Sequence, residues 1–450
     1  MPVNKLNQKN KRMQTQNKFA ATIGLDWADI HHDLWLQAAD GGQPEHLILD
    51  QRPEVLHSWI AQIRARFKNQ PVAFAIETSR GPVLSALLAY DFITVFPINP
   101  KALSSYRDAF RVSGAKDDRS DALLLEQYLR HYIDQLRPLC PDTVLTRQLA
   151  GLVEKRRALV DLRTQLVNQL HAELKMFYPL AQTLLDKLTT PLAAAFLKKW
   201  PTLEALQKAG AHKVRAFFYG HNCRSAKKLQ ARLDALASAV ALTTDPALIV
   251  PASLTVQTLA SLLEVLHDSI ATLDQEINTA MDAHPDAPIF RSFPGAGPAL
   301  APRLLVAFGT QRDRFQSAQE VQQLYGIAPV TQASGQSHVV HMRYRCPKFG
   351  RQSFHENAHQ ACKKEPWARA YYDHQRKSKK HQAAVRAVAF KLMRIYFVCW
   401  RDRKTYDGNT YASSLEKRGS AWVKPQPKPG AKSAPLTLPP MNNFGRPDGE

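Results

Sequence analysis

Two hydrophobic rhythms divide this chain, and the change from one to the other near Leu145 sets two unlike architectures end to end. Before it, short apolar runs alternate with helical stretches. Ala21-Thr-Ile-Gly-Leu-Asp-Trp27, His32 to Ala38 and His46-Leu-Ile-Leu49, the last two separated by a Gly41-Gly42 turn, predict an antiparallel meander. A helix from about Pro53 to Phe67 leads into Val72-Ala-Phe-Ala-Ile76, a second leads into Phe92-Ile-Thr-Val-Phe96, and Asp118 opens another through about Tyr132. Residues 21–140 are therefore expected to form an α/β layer domain with a mixed sheet.

After Leu145 the spacing becomes helical. Leu149, Leu152, Leu159, Leu166, Leu170, Leu174 and Phe177 form one stripe, and Leu259, Leu263, Leu266, Ile270, Leu273 and Ile277 step by 4, 3, 4, 3 and 4, a narrow coiled-coil-type seam. We expect the two helices to pair antiparallel in an all-α coiled-coil region over residues 145–285. Pro201, Gly210, Gly220 and Pro246 break the stretch between them into shorter helices. A mainly α-helical C-terminal domain should occupy residues 288–407. Residues 1–20, polar and basic, read as a flexible arm, and residues 408–450, with seven prolines from Pro425 to Pro447, as a disordered Pro-rich tail.

Charge narrows the partner. With 60 Lys plus Arg against 39 Asp plus Glu, the formal charge is +21, which favours a polyanion and makes nucleic acid the default. Residues 340–404 hold 17 Lys or Arg and 4 Asp or Glu, a difference of +13, interleaved with Tyr344, Phe349, Trp367, Tyr371 and Tyr372. Such a stretch suits phosphate contacts and base packing. Arg343, Arg345, Lys348, Arg351, Lys363, Lys364, Arg376, Lys377, Lys379 and Lys380 are its candidate nucleic-acid-binding side chains. Five scattered cysteines lack a C-x-x-C pair, which points to a reducing compartment. With no secretory signal and no run of about 18 uninterrupted apolar residues, the expectation is a soluble cytoplasmic protein near the nucleoid, with no membrane partner.

Asp26 and Glu77 each close a predicted strand, and Asp118 and Asp121 are spaced to share one face of a helix start. Carboxylates gathered at strand ends bind hard divalent cations such as magnesium, which offset their mutual repulsion. Taken singly, each acid also fits a turn or helix cap. Far along the chain, Ser334 lies in an Ala-Ser-Gly turn, with Ser337 as a neighbouring hydroxyl. Phe293-Pro-Gly-Ala-Gly-Pro298 followed by an apolar helix is similar to a helix-hairpin-helix element, in which Gly295 and Gly297 would let backbone N–H groups approach a phosphate. His355-Glu-Asn-Ala-His359 fits H-E-x-x-H, but Lys348, Arg351, Lys363 and Lys364 around it repel a cation and suit a helix facing DNA.

In this order, Ile23-Gly-Leu-Asp26, Ala75-Ile-Glu77, Lys116-Asp-Asp-Arg-Ser-Asp-Ala122, Pro294-Gly-Ala-Gly-Pro298 and the stretch from Leu324 to Ser337 resemble the IS110/IS1111 family of transposases. These are DEDD recombinases related to the Piv invertases. The resemblance runs from about residue 21 to residue 407. It implies a RuvC-like, ribonuclease-H-like domain whose metal-binding carboxylates are Asp26, Glu77, Asp118 and Asp121, with two magnesium ions, and a C-terminal transposase domain whose nucleophilic serine is Ser334. The family commonly has Thr before the third acid, where this chain has Asp117. Donor and target DNA, a noncoding guide RNA and a homo-oligomer, dimer or tetramer, are the partners that follow.

Overall fold

A computed structural model describes residues 18–77, 81–110 and 118–420, with Phe110 and Asp118 described by backbone alone. Residues 1–17 of the expected arm, Asp117 and residues 421–450 of the expected tail lie outside the described residues. The chain divides into two compact units, Met1–Pro141 and Asp142–Glu450.

In the first unit, β1 (Ala21–Trp27), β2 (His31–Ala38) and β3 (Glu45–Asp50) form the antiparallel meander. Helix α1 (Pro53–Arg66) leads to β4 (Val72–Ile76), α2 (Pro82–Leu87) to β5 (Ile93–Pro97), and α3 (Pro100–Phe110) and α4 (Asp118–Tyr132) follow. The five strands lie in the order β3-β2-β1-β4-β5, with β4 parallel to both β1 and β5. Every residue of β4 is buried, as its unbroken apolar run requires of a strand covered on both faces. One face carries Ile23, Leu25, Phe74 and Ile76 against Trp59, Ile60 and Ile63 of α1. The other carries Ala73 and Ala75 against Leu103 of α3 and Leu124, Leu125 and Leu129 of α4.

Small side chains on that second face let α4 come down onto the sheet. A Cβ on Gly24 would sit 2.1 Å from the Ala122 carbonyl and 2.4 Å from the Glu126 amide nitrogen, so no other residue fits. Two polar contacts fix the helix along its length. Trp35 donates from Nε1 to the Arg119 carbonyl at 2.8 Å, and Thr22 donates to Glu126 at 2.7 Å.

The second unit is built on two long helices, α5 (Val144–Phe177) and, after α6 (Pro179–Leu184), α7 (Pro191–Lys199), α8 (Leu203–Gly220) and α9 (Ala226–Ala237), α10 (Pro246–Asp282). Thr143 caps α5 by accepting from the Thr146 amide, and Asp245 caps α10 ahead of Pro246. The pair runs antiparallel. Thr146 contacts His284 at one end, Arg156 binds Asp274 further in, and Val167 and Leu170 share a core with Leu259 and Leu263. Seam residues Leu259, Leu263, Leu266, Ile270 and Ile277 are buried. By length and composition α10 is apolar enough to cross a membrane; here it packs along α5 and α7, with Leu254, Leu262 and Val265 exposed on its outer side.

Then come α11 (Ala287–Arg291), α12 (Ala301–Phe308), α13 (Ala318–Leu324), the hairpin β6 (Val330–Ser334) and β7 (Ser337–His341), and α14 (Lys348–Lys364), α15 (Pro366–Arg376), α16 (His381–Arg401) and α17 (Gly408–Lys417). Phe290, Phe308, Phe354, Tyr396 and Trp400 fill their common core, which also takes in Leu149 and Val153 of α5 and Ile277 of α10. The two long helices thus pass from one core to the next, and residues 145–285 and 288–407 belong to one compact unit. One expectation is corrected. Residues 408–417 are not part of a disordered tail but form α17, capped by Asp407, with Leu415 buried and Tyr411 packed on Trp367.

Candidate active site and nucleic-acid interface

The register of the first unit decides where its acids stand. Leu25 of β1 pairs with Ile76 of β4 in parallel, so Asp26 and Glu77 follow at the carboxyl ends of neighbouring strands. Side chains alternate along a strand, so Asp26 shares its face with Gly24, the residue that packs on α4. Both acids are half-buried. Helix α4 begins at Asp118 and presents its first turn to that face, where Trp35 holds the Arg119 carbonyl. Three of the four predicted acids are therefore brought by backbone topology to one sheet edge.

Asp121 has a different environment. It is buried, and Arg107 of α3 donates from Nη2 to its Oδ1 at 2.5 Å. A guanidinium at that distance supplies the charge compensation that a cation would otherwise give. Among the described residues, which exclude the Asp118 side chain, no group of three or more His, Cys, Asp or Glu is arranged to hold a metal ion. The donor set itself, carboxylates at strand ends, suits a hard cation.

Sequence reasoning missed a fifth acid. Asp33 lies directly opposite Asp26 in the β1–β2 pair, is only 6 % exposed, and meets His46 Nε2 at 2.6 Å. A charged residue inside the apolar stretch of β2 was the available signal. Arg107 carried no such mark, because its partner is set by the packing of α3 on α4.

Ser334 closes β6 and pairs with Ser337 across a two-residue turn. Gly335 takes φ +57° there, as a tight hairpin turn asks of its first central residue. Every residue from Thr331 to His341 is exposed, so the ribbon stands out from the unit with both hydroxyls at its tip.

The basic stretch around it is only partly available to a ligand. Arg345, Lys348, Lys363, Lys364, Arg376, Lys377, Lys379 and Lys380 are exposed, while Arg343 and Arg351 are half-buried and Arg351 donates to the Arg343 carbonyl. The aromatics divide. Tyr344 is 70 % exposed, but Trp367 and Tyr372, expected as base platforms, are core residues bonded to Tyr406 and His381. Gly295 (φ +73°) is required by packing, since a Cβ there would meet Gln360 of α14 at 2.6 Å; Gly297 has open space instead. The H-E-x-x-H residues have structural roles: His355 and His359 are buried, and Glu356 is bound by Arg303 at 2.6 Å. Burial pushes both imidazoles down to about 4, so they are neutral at pH 7.

An α/β sheet edged with acids, followed by a basic helical unit, has the organisation of an insertion-element DNA transposase with a ribonuclease-H-like DEDD domain. Residues 23–179 match the DEDD transposase model of IS110 elements, and residues 287–373 match the model for transposases of the IS116/IS110/IS902 family. The chain is 30 % identical over 402 residues to the mini-circle putative transposase for IS117 of Streptomyces coelicolor, covering 87 % of this chain and 96 % of that one. It is 28 % identical to the IS110 43.6 kDa protein of the same organism (65 % and 72 % covered) and 27 % identical to the IS900 42 kDa protein of Mycobacterium paratuberculosis (77 % and 87 %). The chain belongs to the IS110 family of transposases and is a DNA recombinase by class.

Proposed function

We propose that this transposase cleaves and rejoins DNA strands through Ser334, with Asp26, Glu77, Asp118 and Asp121 as the carboxylates that hold magnesium. The observation that carries the reading is the placement of Asp26, Glu77 and the start of α4 at one sheet edge. Two bound magnesium ions would supply charge neutralisation at the scissile phosphate and a lowered pKa for the attacking hydroxyl. Arg107 binds Asp121 through Oδ1 and so positions that carboxylate, and the Asp33–His46 pair braces the strand opposite Asp26.

On the serine side, the Ser334 oxygen attacks phosphorus, the bond to the 3′-oxygen breaks, and a phosphoserine linkage holds the strand until a new 3′-hydroxyl displaces the serine. The serine proton passes to solvent, and the departing 3′-oxygen takes one up. The fully exposed ribbon supports this role, because a hydroxyl at its tip is accessible to a duplex. Donor and target DNA are the substrates, a noncoding RNA guides their choice, and the exposed lysines and arginines of residues 343–380 bind their phosphates, with Gly295 and Gly297 in a hairpin beside them. Exposed Leu254, Leu262 and Val265 on α10 support a homo-oligomer formed through the long helices.

A cleavage assay on element-end DNA with magnesium tests the assignment. Asp26→Asn should slow cutting by about a thousandfold or more, and Ser334→Ala should lose cutting and the protein–DNA adduct together. Full cutting by Ser334→Ala would make water the nucleophile and the protein a hydrolytic endonuclease.

A further inference from the structure

The second unit carries a cleft of about 550 Å³ between α13 and α16 that strand exchange at Ser334 does not use. Gln319, Gln322 and Gln323 line it from one side, Phe390 and Arg394 from the other, and Pro329 lies at its edge. Its volume falls within the range of about 300–1,000 Å³ usual for small-ligand sites. Among the described residues, no carboxylate lines it.

Gln322 sets its chemistry. The side chain is 2 % exposed, and its amide nitrogen donates to the Phe390 carbonyl at 2.7 Å, which fixes the amide plane. Gln322 lines the cleft, so its fixed amide also contributes an acceptor oxygen to the wall. Gln319 and Gln323, both exposed, add further donors and acceptors that can follow the edge of a base. Half-buried Phe390 offers a ring for stacking, and exposed Arg394 offers a planar fork for a phosphate. Amide edges, one aromatic ring, one guanidinium and no carboxylate together describe a site for a nucleotide. Its base must be unpaired, since a base inside a duplex cannot present its pairing edge.

We propose that this cleft holds one unpaired nucleotide, from a DNA strand or from RNA, during the reaction. The proposal rests on the reading that the chain binds nucleic acid. Its position gives the nucleotide a function: Pro329 directly precedes β6, and the five residues from there to Ser334 span about 17 Å at about 3.4 Å each. A base captured in the cleft therefore sets the register of its strand relative to the hairpin tip.

The test uses the full chain and two single-stranded probes of equal length, oligo(dT) with one 4-thiothymine and oligo(U) with one 4-thiouracil. Each is crosslinked by light, the adduct is mapped by mass spectrometry, and binding is read by fluorescence anisotropy beside a blunt duplex control. Arg394→Ala and Gln319→Trp alter exposed positions, and thermal melting confirms that each variant is folded. We expect crosslinks in α13 or α16, lost in Gln319→Trp. Both variants should weaken single-strand binding about tenfold, the order of one base stack, and leave duplex binding unchanged. A crosslink from the deoxy probe assigns the nucleotide to DNA, and one from the uridine probe assigns it to RNA. Crosslinks elsewhere, or equal losses for single strand and duplex, overturn the cleft as a site. Failure of the unaltered chain to bind any of the three overturns the nucleic-acid reading itself.

Discussion

The acid-bearing sheet edge and the serine-bearing ribbon are built in opposite ways. Asp26 and Glu77 extend from strands locked between two helical layers, where Gly24 admits α4 at backbone contact and every residue of β4 is buried. Ser334 sits on a two-stranded ribbon exposed along both faces. An isolated hairpin of this kind has little stability of its own in water. On the proposed assignment of the acids and of Ser334, the contrast separates two tasks. Charged groups that must converge are held by a rigid scaffold, and the group that must reach a substrate is carried on a projecting arm.

If that contrast is right, substitutions in the two places should fail differently. Asp26→Asn should cut activity by about a thousandfold or more while leaving the urea midpoint of unfolding in place, as the proposed role of the carboxylate in chemistry at the sheet edge requires. Gly24→Ala comes next in effect. Its methyl would overlap the Ala122 carbonyl and the Glu126 amide, and since neither is a movable side chain, we expect a loss of about 3 kcal/mol or more in the first unit by denaturant titration. The reverse change in the ribbon, Ala333→Gly, should alter global stability by less than about 0.5 kcal/mol. A large loss there would show that the ribbon is part of the folded core.

Acid sharpens the comparison from another side. His355 and His359 in the second unit are held neutral by burial, down to about 4 from the ordinary 6.5. Because their folded values are depressed, the unfolded chain takes up protons first as pH falls. Stability of this unit should therefore decline from about pH 6.5 downward and be fully reduced below about pH 4. A melting temperature constant across that interval would contradict the burial of both rings. The smallest effect belongs to the exposed charges: Lys379→Ala should reduce the slope of log affinity against log salt by about one phosphate contact, without changing sequence preference.

Much of this was legible in the residues themselves. The apolar runs at 21–27 and 72–76 and the acid at 118 define strands and a helix that the structure contains at the same positions. Helix α10, expected from its periodicity, likewise packs along α5. What the chain did not disclose are relations between distant segments. Arg107 meeting Asp121, and Asp33 meeting His46 opposite Asp26, depend on how helices and strands stack, which no local pattern encodes. Aromatic content near basic residues does not tell which rings turn inward, and Trp367 and Tyr372 turned inward. Helix α17 had a local signal in Asp407-Gly-Asn-Thr410, since the aspartate accepts from the Asn409 amide as a helix cap does. The proline-rich composition downstream outweighed it.

The division of labour between a rigid acidic edge and an exposed serine is tested most directly by trapping the reaction with magnesium and element-end DNA, then identifying the modified residue by mass spectrometry of the digested adduct. The account predicts a DNA phosphate on Ser334, present in the unaltered chain and absent from Asp26→Asn. Cleaved DNA with no protein attached, or an adduct on Ser337 or any other residue, would contradict it.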